Sequence, residues 1–265
     1  MNYKGKTIWI TGASSGIGAA FAKAFHEEGA NLILSSRRKQ ALQEVKDNLV
    51  GDTASVKILP LDLAEGESLP GKAKEALAAF GSIDVLINNG GISQRATVME
   101  SDISTFRRLM EINYFGAIAL TKEVLPHMVE RNSGHVIVTS SVAGKIGTKY
   151  RSGYAASKHA VQGFFNSLRQ EMYEHNVAVT LLCPGFIKTD ISKNALTGDG
   201  TKFGKMGDAH KNAMTAEEMV ARVLPKIKAQ KEEIYITGLK EGLALWVQRF
   251  SPTLLNKILK NQKVT

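Results

Sequence analysis

Short apolar runs alternate with longer amphipathic stretches along the whole chain. Seven runs are rich in Ile, Val and Leu with little polar alternation, which is typical of strands buried on both faces of a sheet. They lie at residues 8–10, 32–34, 56–61, 85–87, 135–139, 177–182 and 234–236. Helical patterns of roughly ten to thirty residues separate them, as parallel crossovers require, and the longest cover about 103–131 and 152–175. The pattern predicts an α/β protein with one Rossmann domain over residues 1–265, a doubly wound seven-stranded parallel sheet flanked by helices on both faces.

Two segments depart from this rhythm. Residues from about 190 to 214 are rich in glycine and polar side chains and follow the carboxyl end of a strand, which predicts a substrate loop. Residues from about 242 to 265 form an amphipathic tail, apolar at Leu243, Trp246, Val247, Phe250, Leu254, Leu255, Ile258 and Leu259 and basic at Lys257, Lys260 and Lys263. A basic amphipathic helix can lie on an anionic membrane, but a cap on the pocket or contact with a partner subunit is the favoured interpretation.

Composition and charge argue against several classes of function. The chain has 34 Lys and Arg against 25 Asp and Glu, a net charge of +9, but no basic block stands out, so nucleic-acid binding is not predicted. Cys183 is the single cysteine, which excludes an internal disulfide framework, and the histidines show no metal-ligand spacing, so no metal is predicted. With no signal-peptide pattern and no apolar window of membrane-spanning length, the expected location is the cytoplasm.

A glycine-rich turn follows the first predicted strand and opens a helical pattern. Gly12 can make the tight turn, Gly16 lets the backbone approach a pyrophosphate, and Gly18 lets the helix lie close to the sheet. A phosphate would bind the free N–H groups at the helix N-terminus. The turn therefore predicts a dinucleotide site formed by Gly12, Ser14, Ser15, Gly16, Ile17 and Gly18.

The end of the second predicted strand bears on which coenzyme is used. An NAD site places Asp or Glu there to accept from the ribose 2′-hydroxyl, but this chain has Ser35, Ser36, Arg37 and Arg38. Arginine binds a 2′-phosphate through charged N–H donors, whereas a carboxylate repels it. The sequence thus predicts NADP over NAD, with Arg37 as the main phosphate ligand. The alternative is that both arginines are solvated residues at the start of the next helix.

The candidate catalytic residues lie in the second half of the chain. Tyr154 and Lys158 are spaced i, i+4 on a helical pattern and therefore share one face. An ordinary phenol, with a pKa near 10, is a poor base at neutral pH, but a nearby cation and an oxidised nicotinamide both favour the phenolate. Ser141 follows the fifth strand, where its hydroxyl could hold a substrate oxygen, and Asn113 lies within the long central helix. The tyrosine–lysine pair alone could also be an ordinary exposed helix pair.

Taken together, these motifs resemble the short-chain dehydrogenases/reductases over nearly the whole chain. The matching positions are the glycine turn at 11–18, Asp62, the Asn-Asn-Gly-Gly segment at 88–91, Asn113, Ser141, Tyr154, Lys158 and Pro184-Gly185. Residues 88–95, 125–131 and 154–166 look most like the "member 7" branch of these dehydrogenases/reductases. The resemblance implies an NADP(H)-dependent oxidoreductase that transfers a hydride between nicotinamide and a ketone or secondary alcohol, with bulky apolar carbonyls such as steroids or retinoids as the substrate class.

The resemblance also implies a role for each matching residue. Tyr154 would protonate the carbonyl oxygen, Lys158 would bind the nicotinamide ribose and lower the Tyr154 pKa, and Ser141 would orient the substrate. Asn113 would anchor a water that links Lys158 to solvent. Asp62 and Leu63 would contact the adenine of the coenzyme, and Asn89 and Gly90 would contact the adenine ribose. The nicotinamide end would contact Pro184, Gly185, Ile187 and Thr189.

A stripe of small side chains indicates a partner surface. It consists of Ala156, Ala160, Gly163 and Ser167 on the helix face away from Tyr154. Since members of the family commonly pair such helices across a dimer axis, a homodimer or homotetramer is expected; the alternative is packing against the 103–131 helix of the same chain. Two other classes compete with the enzyme: a redox-sensing binding protein that has lost turnover, and a nucleic-acid or membrane-surface protein suggested only by charge.

Overall fold

A seven-stranded parallel sheet forms the centre of the computed structural model, which describes residues 2–205, 207 and 213–260. In the order β3-β2-β1-β4-β5-β6-β9, the strands are β1 Thr7–Thr11, β2 Asn31–Ser35, β3 Val56–Ile58, β4 Val85–Asn88, β5 Gly134–Thr139, β6 Val177–Pro184 and β9 Glu233–Ile236. Each neighbouring pair is parallel. The predicted fold class is therefore confirmed, with a strand at each of the seven apolar runs.

Helices cover both faces of this sheet. One core lies under α1 (Gly16–Glu27), α2 (Lys39–Asp47) and α7 (Ala216–Lys228), and the second lies under α3 (Leu69–Phe80), α5 (Gly116–Glu130) and α6 (Ser152–Glu171). Every residue of β1 is buried, and successive side chains alternate between the two cores: Ile8 and Ile10 enter the first and Trp9 the second. Burial on both faces is why these strands are continuously apolar.

The predicted 103–131 helix is present over residues 103–130, but it is not regular throughout. It consists of α4 (Ile103–Met110), a π-helical turn (Glu111–Phe115) and α5. A π turn inserts one extra residue into the helical repeat, and such turns are frequent at functional sites. The apolar periodicity continues across the turn, so the pattern could not reveal it. The insertion falls at Asn113, one of the candidate site residues.

Two other boundaries differ from the prediction. β3 ends at Ile58, although the N–H groups of Leu59 and Leu61 still donate to the carbonyls of Leu34 and Ser36. The predicted 152–175 helix ends at Glu171 and continues as a 3₁₀ turn, Tyr173–His175, before Asn176 adopts a left-handed conformation with φ 50°. That residue turns the chain into β6.

Two short strands that the apolar pattern did not predict close the candidate substrate loop. β7 (Ile187–Lys188) pairs with β8 (Met214–Thr215) and brings the two ends of the segment together. The loop is also tied to the segment after β4: the Leu196 N–H donates to the Ser93 carbonyl (2.8 Å), and the Asp102 N–H donates to the Gly198 carbonyl (3.0 Å). Met206 and residues 208–212 of the predicted loop, His210 among them, lie outside the described residues.

The small-residue stripe of α6 is not packed inside the chain. Ala156, Gly163 and Ser167 are exposed and Ala160 is partly exposed. The helix contacts α4 and the π turn through other residues: Ser157 hydrogen-bonds Asn113, and Gly153 lies close to Phe106 and Leu109. The alternative in which this stripe packs against the 103–131 segment is therefore wrong.

The tail begins earlier than predicted and folds into two helices. These are α8 (Leu239–Phe250), which starts after Gly238, and α9 (Pro252–Lys260). Residues 261–265, including the predicted basic position Lys263, are not among the described residues. Within the described part of the chain, no helix combines the length and apolar character needed to cross a bilayer.

Candidate active site

A cavity of about 1680 Å³ lies at the carboxyl ends of the parallel strands. In a sheet of this order, the crevice between β1 and β4 is where ligands bind, because the chain runs outward from that point in both directions. Among the predicted site residues, the wall contains Gly12, Ser14, Ser15, Gly16, Ile17, Arg37, Arg38, Asp62, Leu63, Asn89, Gly90, Ser141, Tyr154, Lys158, Pro184, Gly185, Ile187 and Thr189. Gly18 and Asn113 lie behind the wall rather than in it.

The glycine turn has the shape that a dinucleotide requires. Gly12 and Gly16 have φ values of +65° and +55°, in the left-handed region that favours glycine. A Cβ on Gly12 would lie 2.8 Å from the Gly90 Cα, and one on Gly18 would collide with the Gly12 carbonyl oxygen. Since Ser14, Ser15, Gly16 and Ile17 line the cavity where α1 begins, the N-terminus of that helix faces the space that a pyrophosphate would occupy.

A hydrogen-bond network that the sequence analysis did not assign fixes this end of the cavity. The Thr11 hydroxyl accepts from the N–H groups of Asn89 and Gly90, both at 3.0 Å, and donates to the Ile87 carbonyl (3.2 Å). The Asn89 amide donates to the Thr11 carbonyl, and Asn89 Oδ1 accepts from the Thr139 hydroxyl (3.2 Å). These bonds join the ends of β1, β4 and β5. Threonine at two strand ends was the available sequence signal.

The residues that bear on coenzyme choice lie at one end of the cavity. Arg37 and Arg38 are both exposed and belong to its wall, and Arg38 immediately precedes α2. The hydroxyl of Ser35 is not available there, because it accepts from the indole N–H of Trp9 (2.8 Å). Asp62 follows β3 and accepts from the Ala64 N–H (3.0 Å). The end of β2 therefore offers two guanidinium groups and no carboxylate.

The candidate catalytic side chains meet on the opposite side of the cavity. Tyr154 is only 7% exposed and packs beside Leu109 and Ala143, with its hydroxyl beside that of Ser141. Ser141 is fixed in turn, because its Oγ accepts from the Ala143 N–H (3.1 Å). Lys158 follows one helical turn later, with its Nζ 5.9 Å from the Tyr154 ring centroid. A phenol and an ordered hydroxyl therefore face one point in the cavity.

Burial sets the ionisation of these groups. It raises the pKa of the Tyr154 phenol above its ordinary value, while the Ser141 hydrogen bond and the positive charge of Arg151 oppose the rise. Burial lowers the pKa of the Lys158 ammonium to about 8. The cation that lowers the Tyr154 pKa here is Arg151, whereas the Lys158 Nζ donates to the Thr139 carbonyl (2.8 Å). The elevated phenol pKa keeps Tyr154 protonated at neutral pH, which suits a proton donor.

Arg151 is a functional candidate that the sequence analysis missed. It lies three residues before Tyr154 at the start of α6, and its guanidinium carbon is 5.4 Å from the Phe186 ring centroid. Burial lowers the pKa of Arg151, and the Tyr154 phenol acts in the opposite direction. Its Nε is buried with no hydrogen-bond partner among the described residues. The i, i+3 spacing from Tyr154 was visible in the sequence, but the burial was not.

Replacing Arg151 with Met should change the pH dependence of turnover. Without the guanidinium charge, the pKa of Tyr154 rises further. Because alcohol oxidation needs the phenolate, the pH at which the oxidation rate begins to increase should then be higher. At a fixed pH below that value, kcat/KM for oxidation should fall roughly tenfold. Arg151→Lys keeps the charge and should show a smaller shift. Identical pH–rate profiles for the wild type and Arg151→Met would show that this charge does not act on the phenol.

Asn113 holds three segments together. From the π turn, its Oδ1 accepts from the Ile92 N–H (2.8 Å), and its Nδ2 donates to the Ile92 carbonyl and to the Ser157 hydroxyl, both at 2.9 Å. A Cβ on Gly91 would lie 3.0 Å from Asn113 Oδ1 and 3.6 Å from Lys158 Nζ, so both atoms border this glycine. The side chain thus fixes the loop after β4 against α6. Its predicted role in anchoring a water stays a prediction.

Cys183 is buried beneath the site. Its Sγ accepts from the Gln162 amide (3.0 Å), and burial raises the thiol pKa to about 11. The thiolate, which is the nucleophilic form, is therefore scarce at neutral pH. Cys183 is a packing residue, as the sequence analysis expected.

The glycine turn, the buried phenol and the ordered serine hydroxyl on this sheet define a class of protein. The chain belongs to the short-chain dehydrogenase/reductase family, because the family model described as short chain dehydrogenase matches residues 6–199. The membership predicted from the sequence motifs is confirmed, and with it a general dehydrogenase/reductase activity that uses a nucleotide cofactor.

Individual relatives agree with this membership. The chain is 40% identical over 259 residues to dehydrogenase/reductase SDR family member 7B from Mus musculus, covering 96% of this chain and 80% of the relative. A crystal structure of a short chain dehydrogenase/reductase from Burkholderia phymatum, in complex with NAD, is 25% identical with a TM-score of 0.83 and 96% coverage of both chains. A short chain dehydrogenase from Burkholderia cenocepacia J2315, in complex with NADP, is 25% identical with a TM-score of 0.81, covering 99% of this chain and 100% of that chain.

Proposed function

We propose that the protein is an NADP(H)-dependent carbonyl reductase that also runs the reverse alcohol oxidation. The observation that carries this proposal is the meeting of Ser141, Tyr154 and Lys158 in the same cavity as the glycine turn after β1. A bound nicotinamide supplies the hydride for reduction and accepts it in oxidation. The glycine turn and the N-terminus of α1 would hold the pyrophosphate of the coenzyme.

The protein's part of the reaction is proton transfer and orientation. During reduction, Tyr154 donates its phenolic proton to the carbonyl oxygen of the substrate, and Ser141 hydrogen-bonds the same oxygen. During oxidation, the phenolate takes the proton from the alcohol. Lys158 would bind the nicotinamide ribose hydroxyls with an ammonium whose pKa of about 8 allows it to exchange protons near neutral pH. Burial of Tyr154 keeps water away from this step.

The preference for NADP over NAD rests on Arg37 and Arg38. Arg37→Asp removes a cation that would bind the 2′-phosphate and adds a charge that repels it. We expect NADPH affinity to fall roughly ten- to hundredfold, with NADH affinity changed much less. Coenzyme dissociation constants from fluorescence titration measure both. Lys57→Asp, which makes the same charge change at an exposed position outside the cavity wall, is the matched control. Equal losses for NADPH and NADH in Arg37→Asp would contradict a 2′-phosphate site.

Bulky apolar carbonyls, such as steroids or retinoids, are the proposed substrate class. Support comes from the cavity wall beyond Tyr154, which α8 and α9 supply with Leu243, Val247, Leu255, Ile258 and Leu259. Steady NADPH oxidation across a carbonyl panel tests this proposal, with kcat/KM expected to increase with apolar size. Coenzyme binding without turnover on any member would favour the redox-sensing binding protein instead.

We also propose that the chain forms a homodimer or homotetramer through α6. The support is the exposed small-residue stripe of Ala156, Ala160, Gly163 and Ser167, where a Cβ on Gly163 would meet nothing within 4 Å. Such a surface lets a second helix approach closely.

A further inference from the structure

The two C-terminal helices leave a large apolar surface uncovered. Along α8, Leu239 is 95% exposed, Leu243 64%, Trp246 63% and Phe250 65%, at spacings of four, three and four residues that place them on one side of the helix. Leu254 and Ile258 extend the surface onto α9. We call these six residues the outer apolar face. An exposed apolar surface of this extent marks a site of contact with a partner or a membrane.

The other side of the same two helices faces the cavity. Val247, Leu255 and Leu259 line the cavity, and Leu255 is only 2% exposed. Leu239, Leu243 and Ile258 belong both to the cavity wall and to the outer apolar face. The helices therefore cap the cavity with their inner side, as the sequence analysis favoured, while their outer side meets the rim of its opening. Capping does not explain the exposure of Trp246, Phe250 and Leu254, which lie outside the cavity wall.

The charges around the outer apolar face are basic. Lys240, Arg249, Lys257 and Lys260 are all exposed. The single acidic residue of the two helices, Glu241, turns inward, since a Cβ on Gly238 would lie 2.6 Å from its Oε2 and one on Gly185 would be 3.7 Å from its Cγ. An apolar centre with Trp and Phe, bordered by Lys and Arg, is the composition of helices that lie in the plane of an anionic bilayer.

We infer that the outer apolar face docks on the surface of a bilayer that contains anionic lipids, with α8 and α9 lying against the headgroups. The basic border complements the negative headgroups, and the apolar side chains enter the boundary of the acyl chains. A second copy of the chain is the less favourable occupant, because a twofold contact through this face would bring the same basic border of each copy together. Docking is independent of the proposed reaction.

The two tryptophans make the test direct. Trp9 is completely buried between the sheet and its helices, whereas Trp246 is 63% exposed, so only Trp246 can change its surroundings when the face meets a lipid surface. With the full chain and vesicles of mixed phosphatidylcholine and phosphatidylserine, we expect tryptophan emission to move to shorter wavelength and the protein to sediment with the vesicles. Both effects should weaken with phosphatidylcholine alone and with added salt.

Trp246→Gln with Phe250→Gln should lower the vesicle partition coefficient on the order of a hundredfold. The matched control is Val50→Gln with Met99→Gln, two side chains 83% and 99% exposed on other parts of the surface, which should leave binding unchanged. Because all four side chains are exposed, thermal unfolding should be unaltered in both variants. Absence of vesicle binding by the wild type, or equal binding by the wild type and Trp246→Gln/Phe250→Gln, would overturn the inference. A native mass halved by that variant would overturn it too, because the face would then be a subunit interface.

Discussion

Tyr154→Phe should lower kcat for carbonyl reduction by about a hundred- to ten-thousandfold, while NADPH affinity changes by less than about twofold. The phenyl ring keeps its packing beside Leu109 and Ala143, so the substitution removes only the hydroxyl beside Ser141. Ser141 retains its bond from the Ala143 N–H and so stays in position. The proton donor is lost and the binding surface for the coenzyme is kept.

Steady-state turnover and coenzyme titration measure these two effects separately. Tyr173→Phe, on an exposed side chain just after α6, is the control and should leave both unchanged. A Tyr154→Phe enzyme that retained most of its turnover would mean that another group donates the proton. A large loss of NADPH affinity in the same variant would mean that the hydroxyl serves binding instead.

Lys158→Met should separate activity from stability. Turnover is expected to fall by on the order of a hundredfold or more, because the ammonium that would bind the ribose is lost. The free energy of unfolding near neutral pH should nevertheless be equal to or higher than that of the wild type. Lowering the Lys158 pKa from 10.5 to about 8 means that the fold disfavours the charged form by about 3 kcal/mol. Loss of the bond to the Thr139 carbonyl, worth about 1–3 kcal/mol, offsets part of this gain.

The cause of the difference in unfolding free energy between the wild type and Lys158→Met can be identified from its pH dependence. Between a folded pKa of about 8 and an unfolded value of 10.5, the unfolded chain binds a proton at Lys158 that the folded chain does not, so wild-type stability gains with rising pH. Lys158→Met lacks this gain, and its advantage should shrink from about pH 7 to about pH 10 in denaturant unfolding. Lys231→Met, at an exposed position, should show no such trend. A Lys158→Met protein that is clearly less stable at both pH values would contradict a desolvation cost.

The parts of this protein that could be predicted are those governed by local patterns. Burial on both faces makes β1, β4 and β5 continuously apolar, and the left-handed turn at Gly12 and Gly16 requires glycine. The i, i+4 spacing on α6 likewise placed Tyr154 and Lys158 on one helical face. These features are encoded within a few neighbouring residues.

The parts that could not be predicted depend on distant contacts. One extra residue at Asn113 leaves the apolar period intact, and the side chain at that position bonds to Ile92, twenty-one residues away in sequence. The charge that lowers the pKa of Tyr154 comes from Arg151, and the i, i+3 spacing alone does not show that this guanidinium is buried. The pairing of β7 with β8 is similarly non-local.

The buried thiol of Cys183 has a practical consequence for labelling. It is the only cysteine of the chain, completely buried, bonded to the Gln162 amide and predominantly protonated at neutral pH. A thiol-directed maleimide or spin label offered to the folded protein would find no accessible native thiol. A single cysteine introduced at a chosen surface position can therefore carry a dye on an otherwise wild-type background.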